Sequence, residues 1–278
     1  MKPLRVALIQ LNTGNIVADA VTATEGHIRE AAEGGAAFIS TPETTHLMEM
    51  NRKVVLEKAS FQKDDPGLKR FRALAAELNV WLHIGSLITK VAEDRLANRG
   101  FLIGPDGEIK ASYDKMHLFD VDLGGGEAYR ESALYDGGKN AVLANTPLAN
   151  FGLSICYDLR FAYLYRALAQ AGANILLVPA AFTRPTGEAH WHTLLRARAI
   201  ETGCYVLAAA QTGHHATGRD TYGHSLIVDP WGHVVADAGE AIGVTIADLD
   251  LAKCAEARQK IPSLTHDRDV TVTTVDVT

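Results

Sequence analysis

The sequence predicts an α/β protein in which helices pack over β-sheets. Short apolar runs rich in β-branched residues alternate with longer stretches of helical period along the chain. The 278 residues are 47% hydrophobic and 22% charged, which is typical of a folded chain with a large core. No Pro/Ser-rich linker or low-complexity run interrupts the alternation, so we predict one domain over residues 1–278.

In the first half, glycine and proline mark where the predicted elements begin and end. Gly34 ends the first helix, Pro66 begins the second, and residues 105–107 (Pro-Asp-Gly) join a hairpin. The predicted strands are 6–11, 37–40, 80–88, 100–103 and 108–113, and the predicted helices are 19–33 and 68–78. Residues 116–136 lack a period and include Gly124–Gly126; loops of this length are usually functional or disordered.

The second half continues the alternation. A tight turn at 229–232 precedes Val234, and the tail after Pro262 is polar and β-prone without a helical period. The predicted strands are 151–155, 175–179, 204–210 and 225–229, and the predicted helices are 161–171, 187–202 and 251–259.

Charge and composition restrict the partners. The net charge is -6 and the basic residues form no stripe, so we expect no nucleic acid and favour a small molecule. No apolar run reaches the roughly 20 residues of a membrane helix, and no signal-peptide pattern begins the chain. The three cysteines are widely spaced without CxxC, which indicates neither a disulfide framework nor a structural zinc site. We therefore expect a cytoplasmic protein.

Glu43, Lys115 and Cys156 each follow the end of a predicted strand, where open α/β sheets bind their ligands. At the junction of a strand and a helix, backbone N–H groups and the helix dipole are expected to favour the thiolate of Cys156. Taken singly, each has an ordinary alternative: a buried apolar cysteine, a surface lysine, a loop carboxylate. We interpret Cys204 and Cys254 as buried apolar cysteines without a catalytic role, because the first is predicted in a strand and the second in a helix.

Three segments together resemble the Glu, Lys and Cys motifs of the nitrilase (carbon–nitrogen hydrolase) superfamily. They are Thr41–Glu43, Tyr113–Val121 and Ile155–Phe161, in the family's order, and the resemblance spans nearly the whole chain. Segments 186–191, 195–202, 222–225 and 229–232 are similar to the Nit branch, and 208–211 with His214 and His215 lean towards its members that act on deaminated glutathione.

The resemblance implies a four-layer αββα sandwich without metal or cofactor. It also implies a homodimer or a dimer-based oligomer, with the tail after about residue 262 at the interface. Tyr163 departs from the family, because relatives commonly carry a proline and an acidic residue after the Arg-Phe pair. This departure concerns the packing of the helix start and leaves the chemistry unaffected.

The resemblance also implies the roles of the site residues. Cys156 is the nucleophile that forms a thioester while ammonia leaves, and Glu43 is the general base, with a pKa that we expect a closed pocket to raise. Lys115 and the backbone N–H of Tyr157 stabilise the oxyanion. A second glutamate orients Lys115 or the substrate; Glu131 matches it best and Glu127 is the weaker candidate.

The implied substrate is a small carboxylate-bearing amide of the deaminated-glutathione or ω-keto-amide type. An N-carbamoyl amino acid or a nitrile is the alternative within the superfamily. Arg130 is a further cation that the sequence offers for the substrate carboxylate. Arg160 is as well suited to pairing with a carboxylate of the protein as with one of the substrate. The candidate substrate-binding residues are Arg160, Phe182, Thr183 and Arg184.

Two other classes of function remain to be weighed. A metal-dependent hydrolase would use His190 and His192 with His214 and His215, but no HExxH occurs, and residues two apart on a helix point about 200° apart. A non-enzymatic scaffold would be expected to lack one of the three chemical groups. A serine hydrolase is disfavoured because no G-x-S-x-G motif occurs, and no nucleotide-binding motif is present.

Overall fold

A computed structural model describes residues 3–124 and 128–276, and these residues form an α/β fold. The strands are β1 (Leu4–Gln10), β2 (Phe38–Ser40), β3 (Ser60–Phe61), β4 (Trp81–Lys90), β5 (Leu96–Ile103), β6 (Ile109–Asp114), β7 (Asp120–Asp122), β8 (Ala128–Arg130), β9 (Val142–Asn145), β10 (Asn150–Leu153), β11 (Ile175–Leu177), β12 (Tyr205–Ala208), β13 (Thr212–His214), β14 (Asp220–Tyr222), β15 (Leu226–Val228), β16 (Val234–Asp237) and β17 (Gly243–Leu249). The helices are α1 (Val17–Glu33), α2 (Arg52–Lys58), α3 (Pro66–Leu78), α4 (Ala162–Gln170), α5 (Arg184–Thr202) and α6 (Ala252–Lys260), with short 3-10 helices at Glu131–Ala133, Cys156–Arg160 and Ser263–Thr265.

Local chemistry explains the ends of α3. The side chain of Asp65 accepts a hydrogen bond from the backbone N–H of Leu68, and Pro66 occupies the first helical position, where its missing N–H costs nothing. The helix ends at Asn79, which adopts the left-handed conformation with φ 54°. The predicted helix over residues 68–78 is therefore present; it begins two residues earlier than predicted, at Pro66, and ends at Leu78 as predicted.

Two sheets form the centre of the molecule. The first has the strand order β17-β1-β2-β4-β5-β6, with β3 paired to β4, and the second has the order β16-β15-β12-β11-β10-β9. In each sheet the central strands run parallel, β1-β2-β4 in the first and β10-β11-β12 in the second. Two small ribbons, β7-β8 and β13-β14, lie outside these sheets.

The alternation of side chains along β1 shows how the layers stack. Val6 and Leu8 belong to the core between the two sheets, whereas Ala7 and Ile9 belong to the core under α1 and α3. The rings of Phe38 in β2 and Phe151 in β10 stack with their centroids 4.4 Å apart, which joins the sheets directly. Helices α4 and α5 cover the second sheet, so the predicted four-layer αββα sandwich is confirmed.

The structure differs from the sequence prediction mainly in polar segments. Residues 116–136, predicted to be irregular, contain the β7-β8 ribbon and a 3-10 helix. Strand β17 was not predicted, because only Leu249 among its residues is buried and no apolar alternation marks it. Cys204 directly precedes β12 instead of lying within it. Gly125, Gly126 and Glu127 lie outside the described residues.

The chain after Pro262 forms one short 3-10 helix and, from residue 266 to residue 276, no strand. Helix α4 begins at Ala162 without a side-chain cap, and the hydroxyl of Tyr163 contacts the ring of His117. Within the two described ranges, no helix combines the length and apolar character needed to cross a membrane.

Candidate active site

The structure brings Glu43, Lys115 and Cys156 together from three strand ends. Glu43 follows β2, Lys115 follows β6 and Cys156 follows β10. The Nζ of Lys115 lies 2.9 Å from Oε1 of Glu43, and Cys156 lies near enough to the same carboxylate for its charge to raise the pKa of the thiol. Only 3–6% of the surface of each residue is exposed. The expected convergence of a carboxylate, an ammonium and a sulfur is therefore present.

Cys156 has a backbone conformation that non-glycine residues rarely adopt. Its φ is 49°, at the point where the chain leaves β10 and enters the 3-10 helix. Its N–H donates to the carbonyl of Pro179 at 2.9 Å, which fixes the turn. A left-handed residue at such a junction is a strained arrangement of the kind that clusters at functional sites.

Asp158 connects the cysteine segment to the lysine segment. One carboxylate oxygen accepts from the hydroxyl of Tyr113 at 2.7 Å and from the N–H of Ile155 at 2.9 Å. The other accepts from the N–H of His117 at 3.0 Å. Because Tyr113 and His117 flank Lys115, this fully buried carboxylate holds the ammonium beside the nucleophile.

Three donors hold the Glu43 carboxylate. Oε1 accepts from Lys115 at 2.9 Å and from Nδ2 of Asn98 at 2.8 Å. Oε2 accepts from the backbone N–H of Ala181 at 2.8 Å. Asn98 and Ala181 were missed in the sequence, because an isolated amide in a strand and a backbone N–H carry no local pattern.

Glu131 occupies the position expected of the second glutamate. Its Oε2 lies 2.9 Å from Nζ of Lys115 and accepts from the N–H of Phe119 at 2.6 Å, while Oε1 accepts from Asn98 at 3.2 Å. Lys115 thus lies between two carboxylates, and Asn98 bridges the same pair. Glu127, the weaker candidate, lies outside the described residues.

The expectation that the pocket raises the pKa of Glu43 is wrong. Burial acts in that direction, but the Lys115 ammonium opposes it through charge and hydrogen bonding, and Arg219 adds to this effect, so the pKa lies below the usual 4.5. Burial alone would lower the pKa of Lys115, yet Glu131 and Glu43 raise it well above 10.5. The carboxylate and the ammonium are therefore both ionised at neutral pH.

The expectation that the strand–helix junction favours a thiolate is also wrong for the resting site. Burial, followed by the charge of Glu43, raises the pKa of Cys156 well above its usual 9.0, and Lys115 offsets this only in part. The resting cysteine is therefore a neutral thiol near an ionised carboxylate. Such a pair is arranged for proton transfer at the moment of attack.

Gly85 allows the loop that carries Glu43 to approach the cysteine segment. A Cβ at this position would lie 2.2 Å from the carbonyl oxygen of Thr41, 2.6 Å from that of Pro42 and 2.4 Å from the Cβ of Pro179. Pro179 is the residue that accepts from the N–H of Cys156. The absent side chain is thus required for the close approach of the two segments.

A cavity of about 310 Å³ opens onto these groups. It is lined partly by apolar residues such as Leu47 and Met48, and its volume is at the lower end of the range for small-molecule sites. The cations in its wall besides Lys115 are Arg52, Arg130 and Arg219.

The sequence-predicted substrate residues divide into two groups. Phe182 and Thr183 line a small chamber beside Cys156, together with Tyr157, the predicted oxyanion donor. Arg160 instead stacks over the ring of Phe182, 5.3 Å from its centroid, and contacts His190. Arg184 pairs with Glu240 at 3.0 Å and lines neither cavity.

The histidines considered as metal ligands do not share one centre. His190 contacts Arg160, His214 pairs with Asp220 at 2.9 Å, and His215 contacts the Thr13 carbonyl at 3.0 Å. Among residues 3–124 and 128–276, one cluster brings three ligand atoms within 4.8 Å; it consists of His192, His224 and Asp237. Both imidazoles already hydrogen-bond to the Asp237 carboxylate, and none of the three lines the cavity over Cys156.

Known proteins resemble this chain along nearly its full length. Residues 5–259 match the family described as carbon-nitrogen hydrolase. The deaminated glutathione amidase of Yersinia enterocolitica is 39% identical over 97% of this chain and 95% of its own. The omega-amidase NIT2 of Homo sapiens is 38% identical over 96% of each chain.

A solved structure shows the same fold. The crystal structure of the NitFhit protein of C. elegans superimposes with a TM-score of 0.90 at 37% identity, covering 96% of this chain and 66% of that longer chain. The Nit-branch resemblance is therefore confirmed, and the carbamoyl and nitrile alternatives are not favoured. The chain belongs to the carbon–nitrogen hydrolase family and is an amidase.

Proposed function

We propose that this amidase hydrolyses small carboxylate-bearing amides through a thioester on Cys156. The observation that carries the proposal is that an ionised Glu43, paired with the Lys115 ammonium at 2.9 Å, lines the wall of one cavity together with the Cys156 thiol. An amide carbonyl is a poor electrophile, so its hydrolysis requires a strong nucleophile, a proton shuttle and stabilisation of negative charge on oxygen. One group at this site is suited to each requirement.

In the first half-reaction, the sulfur of Cys156 attacks the amide carbon while its proton passes to Glu43. Glu43 then donates that proton to the nitrogen as the C–N bond breaks, and ammonia or an amine leaves with a thioester behind it. In the second half-reaction, Glu43 takes a proton from a water molecule that attacks the thioester. The carboxylic acid product departs and the proton returns to the sulfur.

Lys115 and the N–H of Tyr157 stabilise the oxyanion in both half-reactions. The first N–H groups of a helix lack a partner within that helix, and Tyr157 is the second residue of the 3-10 helix that begins at Cys156. Lys115 supplies a fixed positive charge in a site from which water is largely excluded. A single preorganised donor of this kind contributes about two to three orders of magnitude in rate.

The substrate class follows from the cavity wall and from the relatives. Arg52, Arg130 and Arg219, together with Lys115, outnumber the three carboxylates in the wall, which suits an amide that also carries a carboxylate; those carboxylates belong to Glu43, Glu49 and Glu131. The names of the relatives point to deaminated glutathione and ω-amides as the first compounds to test. We rank these ahead of uncharged amides and nitriles.

The proposal extends to the assembly and the location of the protein. We propose a homodimer in which the second subunit covers the tail after residue 262. In a single chain, three valines of this tail are exposed: Val270, Val272 and Val275. We propose a cytoplasmic location, because Cys156, Cys204 and Cys254 are all free thiols, as is typical of a reducing compartment. Light scattering after size-exclusion chromatography tests the dimer, since a monomeric mass would contradict it.

A substrate panel combined with two inhibitors tests the proposed function. We expect higher kcat/KM for α-ketoglutaramate and deaminated glutathione than for N-carbamoyl amino acids and simple nitriles. Iodoacetamide should abolish the activity, whereas a chelator should leave it unchanged. Preference for an uncharged nitrile, or loss of activity with the chelator, would contradict the proposal.

A further inference from the structure

Arg219 is a cavity-lining arginine whose guanidinium keeps an unused hydrogen-bond donor among the described residues. It lines both the main cavity and the small chamber beside Cys156. Its Nε is buried without a hydrogen-bond partner among residues 3–124 and 128–276. A buried donor of a charged group left in this state costs stability, so a ligand that accepts from it is expected.

The other contacts of Arg219 do not neutralise its charge. One terminal nitrogen donates to the carbonyl of Ala181, and the guanidinium lies over the ring of Tyr129, 5.3 Å from its centroid. No carboxylate of the described residues lies within 4.0 Å of it, whereas Arg99 and Arg184 each have such a partner. The positive charge reaches the site nonetheless, because Arg219 lowers the pKa of Glu43.

The backbone holds this side chain in place. Arg219 directly precedes β14, and its carbonyl accepts from the N–H of His215 at 2.8 Å, which closes the turn of the β13-β14 ribbon. By contrast, Arg52 and Arg130 are exposed at the cavity wall. Arg219 is therefore the half-buried, preorganised cation of the three, and the one that shares the small chamber with Cys156.

From these observations we propose that Arg219 binds a carboxylate of the substrate, a few bonds from the scissile carbonyl, and thereby selects for carboxylate-bearing amides. The inference rests on the proposed function and deepens it. A guanidinium matches a carboxylate with two parallel hydrogen bonds, and an arginine without a carboxylate partner among residues 3–124 and 128–276 gains most from a substrate that supplies one. Ala181 links Arg219 to the catalytic groups, because its carbonyl accepts from Arg219 and its N–H donates to Glu43.

The test compares two substrates of the same shape, glutaramate and glutaramide. Glutaramate carries a carboxylate at the end where glutaramide carries a second carboxamide. The measured quantity is the ratio of their kcat/KM values. Arg219→Gln keeps an N–H donor for the Ala181 carbonyl and removes the charge, so we expect the ratio to fall about 30-fold or more. Arg219→Lys should retain part of the preference. Arg72→Gln, at an arginine that pairs with Glu108, is the matched control and should leave the ratio unchanged.

A second readout separates this inference from the proposed function. Iodoacetate and iodoacetamide alkylate the same sulfur and differ in charge, so the ratio of their rates at Cys156 reports on a carboxylate site without any turnover. We expect this ratio to fall in Arg219→Gln and to recover in part in Arg219→Lys. If Arg219→Gln does not fold, the comparison of Arg219→Lys with the unchanged protein decides the question.

Each outcome has a distinct meaning. Equal losses on both substrates and unchanged alkylation ratios would show that Arg219 is structural, and would overturn the inference while the amidase proposal stands. A Cys156 that neither reagent alkylates in the unchanged protein would contradict the proposed function, and the inference with it. If Arg219→Gln loses the preference for the charged substrate and for the charged alkylating reagent, the result would support both the inference and the amidase proposal.

Discussion

Replacing Lys115 by methionine should separate the electrostatics of the site from its chemistry. The ammonium lies 2.9 Å from Glu43 and 2.9 Å from Glu131, and all three groups are nearly enclosed. Methionine keeps the apolar stem and leaves two buried carboxylates without their cation. Breaking a buried ion pair by removing one partner costs about 3–5 kcal/mol. For a chain of this size, that corresponds to a fall in Tm of roughly 6–20 °C.

The size of this loss should depend on pH. The pKa of Glu43 is lowered in the folded protein, so its contribution to stability is present above the usual 4.5 and is lost as the pH falls through the folded value. The pKa of Lys115 is raised, so its contribution is present below 10.5 and is lost as the pH rises through the folded value. The difference in Tm between Lys115→Met and the unchanged protein should therefore be largest near neutral pH and smaller in acid.

Thermal unfolding and amide turnover are measured on the same samples. Activity should fall by at least about two to three orders of magnitude, because the oxyanion loses its charged donor. Adding Glu131→Gln should recover part of the Tm and none of the activity. Lys110→Met, at a half-exposed lysine of β6, is the matched control and should change neither quantity appreciably. A Lys115→Met protein with unchanged Tm and near-normal turnover would refute the reasoning.

Three further predictions concern neighbouring groups. Gly85→Ala should lower activity at least about 100-fold in a steady-state assay and destabilise the folded protein by about 1–3 kcal/mol, because the new Cβ would clash with the Thr41 carbonyl. Normal activity in this variant would contradict the required close approach of the two segments. Asn98→Leu should move the acid limb of kcat/KM to higher pH, because it removes a donor to the ionised Glu43, and an unmoved limb would count against that contact. The rate at which iodoacetamide alkylates Cys156 should be nearly constant from pH 6 to 9, because the raised pKa of Cys156 keeps the thiol neutral while Glu43 stays ionised as its base. A tenfold rise in rate per pH unit up to pH 9 would instead indicate a thiol that reacts without Glu43.

The elements with strong local signals could be predicted from the sequence. Pro66 marks the start of α3 through its fixed backbone angle, and Gly35, with φ 81°, changes the chain direction after α1; the apolar runs of the central strands follow from burial on both faces. Strand β17 carries little apolar alternation, because it lies at the sheet edge with one buried residue, and its pairing with β1 joins residues more than 200 positions apart. Only the folded chain reveals that contact.

The same distinction applies to the site. The strand-end positions of Glu43, Lys115 and Cys156, together with the family resemblance of their motifs, were sufficient to predict that they converge. The sequence did not show that Cys156 follows a strand of the second sheet, so that the packing of the two sheets brings its sulfur to the other two groups. The protonation states were predicted wrongly, since a pKa depends on the distances to partners that sequence does not fix. Arg219 was missed for a related reason. It lies in a polar turn without periodicity, and its importance arises from what the structure leaves around it.

The central claim is that an acyl group becomes attached to Cys156 during turnover. Rapid acid quenching of a reaction with a carboxylate-bearing amide, followed by peptide mass spectrometry, tests it directly. We predict the mass of the acyl group on the peptide that contains Cys156, and neither adduct nor turnover in a folded Cys156→Ala variant. An acyl group found only on Cys204 or Cys254, or full activity in Cys156→Ala, would contradict the account.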